Sequence, residues 1–170
     1  MKELHAGRHL RLVERAGWEF VERPGIHGIV LVVAVTPEGR LLLVEQPREA
    51  VGAAVLELPA GLAGDAGSPA GEPLAQAARR ELVEETGWDA AEMEPLTTGP
   101  PSAGVTSEIV TLFRARGLRR VGAGGGVEGE RITVHEVPLD GVEGFARERE
   151  AAGVLVDPKV WAGLWFAQRP

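Results

Sequence analysis

Ten residues, Ile26 to Val35 (IHGIVLVVAV), are apolar almost without a break and rich in β-branched side chains. Such a run has no polar face to offer to water, so it reads as a buried central strand that other elements must cover. The turn signal Thr36-Pro37-Glu38-Gly39 follows, and residues 40–46 (RLLLVEQ) return as a second strand. Upstream, residues 9–23 alternate in polarity with a break at Ala16-Gly17, the pattern of a hairpin or a pair of short strands. Downstream, AVLELPAG (54–61) is a short strand that runs into a Gly-, Ala-, Ser-, Pro- and Asp-rich loop at 62–71. A helix is expected next: Pro73 suits its first turn, LAQAARRELVEET is built largely of helix formers, and Gly87 suits a left-handed stop. Residues 108–118 and 130–139 read as strands, 120–130 as a glycine-rich loop, and two helical stretches close the chain near 140–152 and 157–168. With no repeat and no interdomain linker, this order implies an α/β (α+β) sandwich with helices flanking a mixed sheet.

A length of 170 residues suits one domain with a real core, and 44% hydrophobic with 25% charged residues is a soluble globular composition. The net charge of −7 argues against a surface that tracks nucleic-acid phosphates. The absence of cysteine removes disulfides, thiolate nucleophiles and cysteine metal sites. No apolar stretch has the form of a signal peptide or reaches the roughly 20 residues of a membrane span. The expectation is a soluble, cytoplasmic chain with neither nucleic acid nor membrane as partner.

The helical segment carries an unusual feature. Glu81, Glu84 and Glu85 fall within an arc of roughly 100°. Paired helix glutamates are commonly a solvated face, and that reading stands beside a functional one. Leu74, Ala77 and Ala78 project onto much the same arc, so this side of the helix faces protein. Three carboxylates held this close repel one another, and a cation would relieve the repulsion. Oxygen-only ligands suit Mg²⁺ or Mn²⁺, which keep waters and also bind substrate phosphates.

Glu72, seven intervening residues and Arg80-Glu81-Leu82-Val83-Glu84-Glu85-Thr86-Gly87-Trp88 match the latter part of the Nudix hydrolase box, G-x5-E-x7-R-E-U-x-E-E-x-G-U with U apolar. The chain therefore resembles that family. One departure is clear: the box glycine position, six residues before Glu72, is Ala66. The segment Glu57-Leu58-Pro59-Ala60-Gly61 resembles the family's usual entry but leaves ten residues before Glu72 where five are expected, a five-residue insertion in the loop. Residues 18–23, 46–48, 57–61 and 156–160 resemble the ADP-ribose or ADP-sugar pyrophosphatase branch. So does Ser102–Glu108, with Ala103 where that branch usually has proline. Residues 124–134 also resemble the acidic loop of other nucleoside-diphosphate-sugar members, including those acting on GDP-mannose.

The resemblance implies a Nudix-type α/β/α sandwich, with residues 1–25 as N-terminal strands serving dimer and nucleotide pocket and 26–170 as the hydrolase domain. It implies a homodimer that hydrolyses the diphosphate of a nucleoside diphosphate sugar with Mg²⁺ or Mn²⁺. Glu81 and Glu85 would be the principal metal ligands, supported by Glu84 and the Ala60 carbonyl, with Arg80 orienting the cluster. Glu128 or Glu130 would supply the base, on a loop whose glycines let it close. Arg23, Arg48 and Glu57 fall at substrate-contacting positions. Trp18 has two readings, a stacking platform for a base or a core residue. Trp161 and Trp165, spaced i, i+4, read as packing. Two other readings remain open: a GDP-mannose or other nucleotide-conjugate pyrophosphatase, and a nucleotide-binding module without activity.

Overall fold

The structure is a computed structural model and describes residues 1–64, 71–127 and 129–169. Three strands, Lys2–Ala6 (β1), Arg11–Arg15 (β2) and Trp18–Glu22 (β3), form an antiparallel N-terminal sheet. The β2–β3 turn is the expected Ala16-Gly17, and both residues have positive φ (54° and 79°), as a two-residue hairpin turn requires. β1 is exposed along its whole length; it lies before the alternating residues 9–23 and within the 1–25 stretch that the resemblance gives as N-terminal strands.

The domain behind it is built from two four-stranded mixed sheets. Its strands are Gly28–Ala34 (β4), Arg40–Arg48 (β5), Ala53–Glu57 (β6), Ala60–Ala63 (β7), Trp88–Asp89 (β8), Glu92–Gly99 (β9), Val110–Arg116 (β10), Arg119–Arg120 (β11), Thr133–Pro138 (β12) and Leu155–Val156 (β13). Helices Leu74–Thr86 (α1), Val142–Ala151 (α2) and Lys159–Ala167 (α3) complete it. One sheet has the order β7-β4-β10-β9, with β4 and β10 parallel. The other has the order β12-β5-β6-β13, and β8 pairs separately with β11.

Strand β4 is covered on both faces, as its composition demands. Val30, Val32 and Ala34 pack with Ala77, Ala78 and Leu82 of α1, while Leu31 and Val33 join Leu41, Leu43 and Leu56 and residues of α2 and α3. Fully burying each such Val or Leu contributes roughly 1.5–3 kcal/mol. This double-sided core is the Nudix-type sandwich the sequence implied.

The 54–61 segment divides into two strands in different sheets. β6 pairs with β5, and after Leu58-Pro59 the chain crosses to pair β7 with β4. Leu62 and Ala63, expected in a loop, continue β7. Among the described residues, no helix is long and apolar enough to cross a membrane. Trp161 and Trp165 do not pack inward: they are 38% and 51% exposed, while Val160 and Gly163 of the same helix face the core.

Candidate active site

The crossing at Leu58–Gly61 runs directly over α1 and creates the site. The backbone amide of Ala60 donates to Oε2 of Glu85 at 2.9 Å. Gly61 leaves the room that the Glu81 side chain occupies, since a Cβ there would overlap the Glu81 carboxylate. Glu81 and Glu85 are buried together with Ala77, Ala78 and Leu82, so the carboxylates occupy the inward face of α1. The solvated-face reading fails for these two, whereas Glu84 stands at the rim with its side chain 34% exposed.

Arg80 gathers the remaining acids. Its guanidinium donates to Glu72 (3.2 Å to each oxygen), Glu81 Oε1 (2.8 Å), Glu84 Oε2 (3.1 Å) and the Leu62 carbonyl (3.1 Å). Burial works against its charge, but the hydrogen bond with Glu72 and the field of Glu81 outweigh this and push its pKa up. Glu72 itself is buried, and its backbone carbonyl is hydrogen-bonded to His27 Nε2 at 2.9 Å. Neither Glu72's ion pair with Arg80 nor His27 had been assigned a part from the sequence. For Glu72, the signal was its box position eight residues before Arg80.

Glu85 is short of positive charge. Burial, opposed by the Ala60 amide and reinforced by Glu81 and Glu130, pushes its carboxyl up to about 8. Arg48 pulls the other way, so Arg48 and Glu130 both lie within electrostatic reach of Glu85. Among the described residues, no three His, Asp or Glu side chains stand at the spacing of a metal cage. Arg80 is bonded to Glu72, Glu81 and Glu84. The donor set nevertheless fits a hard divalent cation: it is all oxygen, largely buried, and carries more negative charge than one guanidinium balances.

The glycine-rich segment is docked against the C-terminal end of α1. The amides of Gly125 and Gly126 donate to the carbonyls of Glu85 (2.8 Å) and Glu84 (3.0 Å), and those of Val121 and Gly122 both donate to Gly87 (2.8 and 3.0 Å). Glycine is required at 124, where φ is 72° and a Cβ would stand 2.7 Å from the Glu85 carbonyl oxygen. Glu130 closes the segment by accepting from the Val127 amide at 2.9 Å. Glu128 and Ala66 lie outside the described residues.

The expected substrate-contacting residues are paired among themselves or with unforeseen partners. Arg48 donates to Glu57 at 2.8 Å. Arg23 donates to Glu108 at 3.1 Å, which joins the N-terminal sheet to the 102–108 segment. Trp18 is 63% exposed, which excludes the core reading, and its indole N–H donates to the Gly104 carbonyl at 3.4 Å.

A two-layer mixed-sheet core with a buried acidic helix, entered through Glu57–Gly61, defines a Nudix-type hydrolase architecture. The chain belongs to that family: the model of the NUDIX domain matches residues 25–152, and the chain is a Nudix pyrophosphohydrolase. It is 35% identical over 151 residues to the methanol dehydrogenase activator of Bacillus methanolicus, covering 88% of this chain and 75% of the relative. It is 35% identical over 133 residues to the ADP-ribose pyrophosphatase of Bacillus subtilis (strain 168), covering 78% and 68%. A GDP-mannose pyrophosphatase of Enterobacter sp. (strain 638) is 41% identical over a shorter 92 residues, 53% of this chain and 46% of that one. A solved structure of an ADP compounds hydrolase superposes with a TM-score of 0.71 at 18% identity, covering 98% of this chain and 89% of the other, a likeness of fold.

Proposed function

We propose that the chain hydrolyses the diphosphate bond of ADP-ribose or a similar nucleoside diphosphate sugar, with Mg²⁺ or Mn²⁺, to AMP and a sugar phosphate. The observation that carries this reading is the gathering of Glu72, Glu81 and Glu84 on the single guanidinium of Arg80, with the buried Glu85 held beside them by the Ala60 amide. Glu81 and Glu85, with Glu84 and the Ala60 carbonyl, would hold the divalent ion. When bound, the ion neutralises the diphosphate, polarises phosphorus and makes water a better nucleophile. Arg80 orients the carboxylates and keeps Glu72 and Glu84 from drifting apart. Glu130 is within electrostatic reach of Glu85 and is the base favoured here, with Glu128 the alternative on the same loop. The base takes a proton from water, the new P–O bond forms, and the bridging P–O bond breaks with its electrons leaving on the departing phosphate.

Arg48 and Arg23 would contact the diphosphate, Glu57 would hold Arg48 in place, and exposed Trp18 would stack on the base. The fully exposed β1 strand and the exposed Leu4 and Leu10 support a homodimer formed through residues 1–25, in a cytoplasmic protein. The relative that hydrolyses GDP-mannose and the presence of Ala103 favour one second reading, a GDP-sugar substrate. The test is a panel of nucleotide sugars with and without Mg²⁺, products identified by mass. The proposal predicts AMP and a sugar phosphate only with metal. GMP from GDP-mannose as the preferred product supports the second reading, and tight binding without any product overturns both.

A further inference from the structure

The outer side of α1 carries a different cleft. Gln76, Arg79 and Val83 project opposite Glu81 and Glu85, and with Asp89, Arg119 and Val121 they line a space of about 510 Å³, a size suited to a small ligand. Asp89 is 6% exposed and binds both arginines: Arg79 through Nε (2.6 Å) and Nη2 (2.9 Å), and Arg119 through Nη2 (2.6 Å). The two guanidiniums offer ten N–H donors. Asp89 takes three, and no other described residue accepts from either. Both side chains remain accessible, at 51% and 69% exposure. One carboxylate therefore fixes two guanidiniums in place and leaves a surplus positive charge beside an apolar surface of Val83 and Val121. Arg80 and Glu84, 3.1 Å apart, also border this cleft, so its lining carries three guanidiniums against two carboxylates.

Oriented guanidinium forks match phosphate oxygens, and their placement here costs little further ordering on binding. We propose that this cleft is a second anion site, taking the phosphate group of a small phosphate monoester or of free phosphate, on the side of α1 away from the acidic cluster. Arg80 and Glu84 border both, so occupancy of one site is felt at the other.

The experiment is titration of the full chain in EDTA with inorganic phosphate and, separately, with AMP, read by calorimetry. EDTA removes divalent ions and turnover, so the outcome is independent of the hydrolytic proposal. Saturable binding is expected, weakened about tenfold or more in Arg119→Ala and in Gln76→Trp, and retained in Glu85→Gln. Binding of AMP alone assigns the site to phosphate monoesters, and binding of both assigns it to the phosphate group itself. Gln76→Trp fills the cleft from an exposed helix position with every charge kept, and it decides the matter if Arg119→Ala does not unfold cooperatively. The proposal is overturned if neither probe saturates by about 10 mM, if Gln76→Trp binds as the parent does, or if Glu85→Gln abolishes binding.

Discussion

One helix separates two opposite electrostatic arrangements. On its inward side three carboxylates share the guanidinium of Arg80 while Glu85 beside them accepts from the Ala60 amide, and on its outward side two guanidiniums share the carboxylate of Asp89. The consequences for the acids are opposite. Burial pushes Glu85 up to about 8, while the hydrogen bonds from Arg79 hold Asp89 down at about 2. Adjacent residues Arg79 and Arg80 serve different networks because one helical step turns the side chain by ~100°. Under the proposed function the inward cluster would gain from a cation, whereas the outward pair already has its carboxylate and leaves N–H donors that no described residue takes.

The sharpest way to break this comparison is Glu85→Gln. Loss of the central carboxylate should lower metal-dependent turnover of ADP-ribose by roughly 10²–10³-fold, and a parent-like initial rate would refute its role. The next effect is on metal affinity. Because the Glu85 carboxyl holds its proton to about 8, binding of Mn²⁺ must displace that proton. Apparent affinity should rise about tenfold per pH unit below that value and level off above it; calorimetry in buffers of different ionisation enthalpy measures the released proton. Without metal the sign is reversed for stability. The folded state retains a proton that the unfolded state, at its ordinary 4.5, has lost, so this contribution to stability falls as pH rises from 4.5 to about 8.

Gly61→Ala tests the geometry of the inward side. Its Cβ would displace the Glu81 carboxylate, with an expected loss of about 1–3 kcal/mol in denaturant unfolding and a fall in turnover. Unchanged stability and rate would show that Glu81 has another place to go. Asp89→Asn gives the smallest change. Its arginine partners are half exposed and screened by water, so about 1 kcal/mol is expected. A carboxyl held from 3.8 down to about 2 contributes stability above 3.8 that disappears as pH falls through about 2. Acid unfolding of parent and variant should therefore converge at the low end.

Both arrangements were unequally legible in the chain. The inward cluster was visible because helical period and box spacing put Glu72, Arg80, Glu81, Glu84 and Glu85 in register, and the central strands because β4 is apolar throughout and β5 is apolar from residue 41 to 44. Strand β9 was missed. Its sequence EMEPLTTG is mostly polar and holds Pro95, which an edge strand tolerates because its outer N–H needs no partner. Asp89 gave no sign, because a buried acid is recognisable only once Arg79 and Arg119, ten and thirty positions away in the chain, are seen to meet on it. The glycine-rich segment read as free loop, yet it binds α1 through backbone amides, which every residue type but proline carries alike.

Short-range order was written in the chain itself: where α1, α2, α3 and the apolar central strands run, where Gly87 ends α1, and which residues share its acidic arc. These follow from steric preference and the periods of 3.6 and 2, which act between neighbours. The tertiary structure alone decided that Ala60 and Gly61 cross above Glu81 and Glu85, that Trp161 and Trp165 face outward, and that Arg79 leaves its neighbour to join Asp89. Burial and the pairing of charge depend on segments far apart in sequence, and no local pattern encodes which of them will meet.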